Sequence, residues 1–212
     1  MQLGPRVVVA GTHSGVGKTT VATGLLAALA AAGHRVAAAK VGPDFIDPGY
    51  HALACGRPPR NLDPWICGAG AVGPLAGRAA DGADLLVVEG VMGLFDGAGD
   101  GEVSSTADVA ALLGAPVLLV IDAAALAGSA AALVHGFATY DERIDVAGVV
   151  LNRVGSDGHE AMLREAVEAT GVPVVGALRH DDRLTWRDRH LGLVPVAEAP
   201  RAVRASLRRL AE

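Results

Sequence analysis

Residues Arg6 to Ala10 read Arg-Val-Val-Val-Ala, and the next ten are Gly11-Thr12-His13-Ser14-Gly15-Val16-Gly17-Lys18-Thr19-Thr20, followed by an Ala/Leu-rich stretch closed by Gly33. A β-branched run, a glycine-spaced turn ending in Lys-Thr and a helix-forming segment, in that order, leave few folds open. The strand must be buried, the helix must cross back over it, and the turn between them presents backbone N–H groups at a helix N-terminus, where an anion is favoured. Gly15 and Gly17 allow those amides to turn inward around phosphate oxygens, Lys18 reaches toward β and γ phosphates, and the Thr19 hydroxyl suits a magnesium ion. Thr12, His13, Ser14, Gly15, Val16, Gly17, Lys18, Thr19 and Thr20 are therefore the candidate nucleotide contacts. The run departs from G-x-x-x-x-G-K-[ST] in its first place, which holds Thr12, with Gly11 one position earlier.

The rest of the chain repeats the strand and helix rhythm. Apolar runs at Arg35 to Lys40, Asp84 to Glu89, Pro116 to Asp122, Val146 to Leu151 and Val172 to Ala177 are continuous rather than alternating, which predicts parallel strands covered on both faces. Helices are predicted over Thr19 to Ala32, Thr106 to Leu113, Ala123 to Tyr140 and Gly158 to Thr170, three of them followed by Gly33, Gly114 or Gly171 at the cap position, with a last helix over Pro200 to Glu212. The expected fold is α/β, an open and mostly parallel sheet with helices on both faces, in one domain over residues 1–212. A composition of 51% hydrophobic residues with only 3% aromatic fits an Ala/Val/Leu core of that kind.

Two stretches break the rhythm, Val41 to Ile66 and Gly90 to Ser105, and both begin at the C-terminal end of a predicted strand. Ligands bind at that edge in open α/β sheets, so these are the expected functional loops. The chain carries 18 basic residues, yet its only lysines are Lys18 and Lys40, both on this edge; a compact ammonium is retained where a planar guanidinium would not fit. Glu89 ends an apolar strand and is a candidate magnesium ligand. Asp44 and Asp47, three apart between prolines, are placed to complete the metal shell or to handle charge on a reacting acyl group, with Asp44 preferred because Asp47 precedes Pro48 as a turn residue does. Asp96 returns toward the same edge. Asn152 and Arg153 end a further strand, where an Asn amide can meet a purine edge. Tyr50, His13 and His51 are near by sequence, and none reads as a general base.

A net charge of −5 gives no general basic surface for nucleic acid, and the two cysteines, Cys55 and Cys67, indicate neither a disulfide framework nor a zinc site. No apolar run has the length of a membrane span or the form of a signal peptide, so a cytoplasmic protein is expected.

The strings GTHSGVGKTT, KVGPDFIDPGYH, NLDPW, VVEGVMGLFDG, STAD with LLGAPVLLVIDA, GVVLNRVGS and RHLGLVP together resemble the synthetase domain of cobyrinic and hydrogenobyrinic acid a,c-diamide synthases, over essentially the whole chain. The resemblance implies a dethiobiotin-synthetase-like P-loop fold, ATP and Mg²⁺, and amidation of the a and c acetate groups of a corrinoid through acyl phosphates. It implies phosphate and metal roles for Lys18, Thr19, Asp44 and Glu89, an acyl-centre role for Asp96, adenine contact at Asn152, and a substrate side lined by Phe45 and Ile46. Lys40 is expected to be catalytic with Lys18, Asp44 and Asp96, and Asp47 and Tyr50, on the loop of Phe45 and Ile46, are further candidate substrate contacts. Members of that family continue into a glutamine amidotransferase domain, whereas this sequence ends at Glu212; ammonia, or a glutaminase that is separate or deleted, is the expected nitrogen source. A cleft shared in a homodimer would suit so large a substrate. The rivals are dethiobiotin synthetase, against which the two long loops argue, and a partition-type switch ATPase, whose early second lysine is replaced here by His13.

Overall fold

In the computed structural model, residues 3–99 and 101–181 are described, together with the backbone of two short strands farther on. Seven strands form one parallel sheet: β1 (Arg6–Gly11), β2 (Val36–Val41), β3 (Arg60–Leu62), β4 (Leu85–Glu89), β5 (Val117–Asp122), β6 (Val146–Val154) and β7 (Val174–Arg179). Their order across the sheet is β3-β2-β4-β1-β5-β6-β7. The helices are α1 (Lys18–Ala31), α2 (Asp47–Cys55), α3 (Pro64–Cys67), α4 (Ala69–Ala80), α5 (Thr106–Leu113), α6 (Ser129–Thr139) and α7 (Asp157–Glu168). β8 (Asp188–Arg189) and β9 (Gly192–Leu193) pair antiparallel.

Continuous apolar strands follow from two cores. Successive side chains of a strand point to opposite faces. Val9, Val36, Ala38, Val87 and Val120 accordingly pack on one side with Val21, Ala22 and Leu26 of α1. Their neighbours Val8, Ala10, Ala37, Ala39, Leu86, Val88, Leu119 and Ile121 pack on the other, against Val72 and Ala76 of α4 and Val109, Ala110 and Leu113 of α5. Each strand must therefore be apolar at every position, which is the pattern the sequence shows.

The chain leaves central β1 toward β2 and β4 and later returns to its opposite neighbour β5, so the direction of winding reverses beside β1. A crevice opens there at the carboxyl ends of the strands. The loop after β4 is stitched to β1 across it: Gly90 N donates to Val9 O (2.9 Å) and Leu94 N to Gly11 O (2.8 Å).

Several predicted boundaries shift. The stretch 41–66, read as irregular, contains α2, β3 and α3. Asp47-Pro48 starts α2 with proline in its first turn, where the missing N–H is harmless, and Gly56 ends it in a left-handed conformation (φ 69°). β3 escaped notice because it is a three-residue edge strand, pairing Ala39 with Arg60 through Val41 with Leu62. α6 begins at Ser129 rather than Ala123: Asp122 Oδ1 accepts from Ala124 N (3.0 Å) and His159 Nε2 meets Leu126 O (2.7 Å), holding the intervening residues as a turn. β6 runs on through Asn152 and Arg153 to Val154. The helix predicted over Pro200 to Glu212 lies outside the described residues, as does the RHLGLVP string apart from backbone at Arg189, Gly192 and Leu193.

α5 opens with a reciprocal cap: Ser105 Oγ accepts from Asp108 N (3.0 Å), and Asp108 Oδ2 accepts from Ser105 N (3.1 Å). Ser105→Ala removes half of that exchange and is expected to lower stability by about 1 kcal/mol. Urea unfolding, with the slope unchanged and the midpoint reduced, checks it.

Candidate active site

The turn between β1 and α1 has its glycines in conformations other residues avoid. Gly15 has φ 82° and Gly17 φ 101°, and a Cβ on Gly17 would fall 2.2 Å from Asn152 Nδ2. Among the described residues, no backbone carbonyl takes the amide hydrogens of Ser14 to Gly17, so they remain for an anion. His13, Ser14 and Gly15 are exposed, whereas the Val16 side chain is fully buried and only its backbone faces the turn. Lys18 Nζ donates back to His13 O (3.1 Å), curling over the site.

Beside it lies a set of buried polar groups drawn from four elements. Thr19 Oγ1 of α1 donates to Glu89 Oε1 at the end of β4 (2.7 Å). Lys40 Nζ, at the end of β2, is 2.9 Å from Glu89 Oε1, 2.7 Å from Asp47 Oδ2 of α2, and donates to Gly90 O. His51 Nε2 approaches Glu89 Oε2 to 2.5 Å. Lys40 is 3% exposed, Glu89 1% and His51 0%, so these charges must satisfy one another.

The electrostatics follow from that burial. It disfavours ionisation of Glu89, but Lys40 and His51 outweigh it and hold the carboxyl well below its ordinary range. Asp47 is pushed up to about 6, by burial first and then by Glu89, with Lys40 opposing. Burial also works against the charge on Lys40, yet Glu89 and Asp47 keep its pKa above the usual lysine value. Lys18 is lowered to about 8, by burial and then by Lys40.

The structure brings Lys18, Thr19, Lys40, Asp47 and Glu89 together and rearranges the two loop acids. Asp44, preferred from sequence as a metal ligand, stands farther out: Oδ1 accepts from Ile46 N (2.7 Å) and Asp47 N (3.0 Å), and Oδ2 is 3.9 Å from Lys40 Nζ. Asp47 takes the inner place because α2 begins at that residue, which turns its side chain toward Thr19 Oγ1 (3.4 Å). Tyr50, expected on the substrate side, is instead 2% exposed and packs with Ala27, Ile46, Leu53 and Ala54, pinning α2 to α1. Phe45 is 89% exposed beside the site.

Asp96 Oδ2 accepts from Gly93 N (2.8 Å), and its charge is felt at Lys18. Asn152 Nδ2 donates to Val16 O (2.7 Å) and Oδ1 accepts from Arg153 N, so the amide braces the turn with one hydrogen and one lone pair to spare. Arg153 adopts φ 60°, pairs with Asp122 and donates to Gly15 O (2.9 Å). Sequence reasoning named His51 without giving it a role. The usable signal was its spacing: Asp47 and His51 are four apart, on one face of a helix.

A central parallel strand, a glycine turn with a curled lysine, and a strand-end carboxylate bonded to the helix threonine define a P-loop nucleotide-binding protein. Residues 7–194 match one such family, and the chain belongs to it: the CobQ/CobB/MinD/ParA nucleotide binding domain. It is 61% identical over 195 residues to a hydrogenobyrinate a,c-diamide synthase of Streptomyces coelicolor, covering 92% of this chain and 40% of that one. The corresponding synthase of Thermobifida fusca is 57% identical over 205 residues, covering 95% and 43%. This chain thus spans less than half the length of these curated relatives. Its fold is shared by the 54 kDa signal recognition particle protein of Aeropyrum pernix in complex with GDP (TM-score 0.55, 20% identity, 99% of this chain and 49% of that one). It is also shared by the cell division protein FtsY of Thermotoga maritima (TM-score 0.56, 18% identity, 96% and 68%).

A phosphate in the turn would meet Lys18 as an ammonium, and the depressed pKa means the free protein loses that charge as pH rises through about 8. ATP affinity is expected to fall between pH 7.5 and 9.5, and the fall should disappear in Lys18→Gln; titration calorimetry across that range reads both. For stability the sign is opposite, because the unfolded lysine keeps its proton to higher pH and unfolding becomes harder as pH rises from about 8 toward 10.5.

Proposed function

We propose that residues 1–212 form the ATP-dependent, amide-forming part of a hydrogenobyrinate a,c-diamide synthase, acting on the a and c acetate carboxylates of a corrinoid. The observation that carries the reading is the 61% identity to a synthase of that name, in a chain whose phosphate turn and buried Lys40, Asp47 and Glu89 converge. The relatives' name favours the metal-free macrocycle over its cobalt form. It also favours amidation over dethiobiotin synthesis or a partition-type switch, neither of which is the activity those relatives are named for.

A carboxylate is a poor electrophile. Its oxygen attacks the γ-phosphorus of ATP, ADP leaves, and the resulting acyl phosphate is attacked at carbon by ammonia; phosphate departs with the bonding pair and a proton is released. In this reading Lys18 and Lys40 offset charge on the transferring group, the turn from Thr12 to Thr20 holds the phosphates, and Asn152 and Arg153 border the base. Asp96, Asp44, Phe45 and Ile46 face the acyl side. The oxygen donors Thr19, Asp47 and Glu89 fit a magnesium ion: they are hard ligands, few in number, and already adjacent, with Thr19 Oγ1 2.7 Å from Glu89 Oε1 and 3.4 Å from Asp47 Oδ2. When bound there, magnesium would neutralise phosphate charge. Ammonia, free or released by a glutaminase, is the proposed nitrogen donor.

The test is turnover of hydrogenobyrinic acid with ATP, Mg²⁺ and an ammonium salt, followed by mass spectrometry. Two amidations, with one ADP released for each, are expected; absence of tetrapyrrole-dependent ADP release would overturn the reading. Lys40→Met should lower kcat by on the order of 100-fold, through loss of one charge-stabilising donor.

A further inference from the structure

His51 lies outside every role assigned so far, yet it is among the most completely buried polar side chains in the described residues. It is 0% exposed, and its Nε2 makes the closest polar contact to Glu89, 2.5 Å from Oε2. Its other nitrogen, Nδ1, is buried without a hydrogen-bond partner. Leaving a ring nitrogen unsatisfied is unfavourable, and an apolar residue of similar size would avoid that burden. The polar ring is retained for the one bond it does make.

That bond addresses the half of Glu89 that no other described residue holds. Oε1 receives both the Thr19 hydroxyl and the Lys40 ammonium. Among the described residues, Oε2 meets only His51. Without a partner on Oε2 the terminal torsion, a broad well for glutamate, is held from one side alone, and Oε1 can shift from its place against Thr19 and Lys40. The ring is itself held in place, because α2 carries Asp47 and His51 one turn apart and Tyr50 anchors that helix in its own apolar cluster with Ala27 of α1. Asp47 reaches Lys40 from the same helix face, so α2 sets two sides of the oxygen cluster at once.

We propose that His51 is a positioning residue for the metal and nucleotide site: its Nε2–H fixes the Glu89 carboxylate with Oε1 directed at Thr19, and so sets the affinity for a divalent cation together with ATP. The inference rests on the magnesium set proposed above. Partners of this kind behind a metal ligand change affinity by about 10–100-fold when removed.

The experiment measures binding rather than turnover. ATP affinity of the whole chain is determined by calorimetry without metal and across a Mg²⁺ titration, for wild type, His51→Leu and His51→Gln, with thermal unfolding recorded for each. His51→Leu should leave metal-free ATP binding within about two-fold while raising the Mg²⁺ concentration for half-maximal enhancement by roughly ten-fold. His51→Gln, which keeps an N–H donor at similar reach, should restore the metal dependence to within about three-fold of wild type. If His51→Leu does not fold, His51→Asn replaces it, being polar but too short to reach Glu89. Unchanged metal dependence in the donor-lacking variant would overturn the proposal, and so would equal loss in that variant and His51→Gln, which would make the ring's shape its only contribution. A wild-type protein that bound no ATP would instead remove the reading of the site on which the proposal stands.

Discussion

Charges taken out of water must be matched, and the carboxyl edge of this sheet is arranged around that requirement. Glu89 and Lys40 are almost wholly buried and neither is tolerable without the other. Their pairing in turn demands that β2 and β4 be adjacent, with Lys40 opposite Glu89 in register, and that is how the strands align. Removing either partner would strand the other's charge in the interior, so the pair constrains how β2 and β4 align.

The same edge explains the division of labour between the long loops. The stretch after β2 supplies Asp44, Asp47 and His51, and it supplies them from a short helix, so spacing along that helix decides which acid faces inward. The stretch after β4 supplies Glu89 at its root and Asp96 farther along, sewn to β1 by backbone hydrogen bonds. From the opposite side, β6 contributes Asn152 and Arg153 as braces under the phosphate turn. Residues far apart in sequence thereby set the shape of one anion cradle.

Much of this was legible in the sequence because its signals are local. The β1-turn-α1 unit is marked by glycine spacing and a Lys-Thr pair, and the doubly covered strands by uninterrupted Val, Ala and Leu. The scarcity of lysine pointed to the sheet edge where both ammonium groups stand, beside the glycine turn and Glu89. What resisted reading was set by tertiary contacts. β3 is too short to show a period, and α2 hides among prolines that in other settings mark turns. Asp47 rather than Asp44 takes the inner place because Asp-Pro opens a helix here rather than a reverse turn. Tyr50 looked like a substrate contact by proximity alone, while packing against α1 takes it inward. His51 could not be valued without knowing that Glu89 ends beside it.

The scarcity of lysine also shapes how the molecule meets reagents. Lys18 and Lys40 are 7% and 3% exposed, and every other cationic side chain that carries a permanent charge is an arginine. Acylating agents that seek lysine side chains find no others within residues 1–212. The only ε-amino groups they could modify sit in the phosphate cradle and its acidic neighbour, so covalent amine chemistry on this protein becomes a report on how open that cradle is.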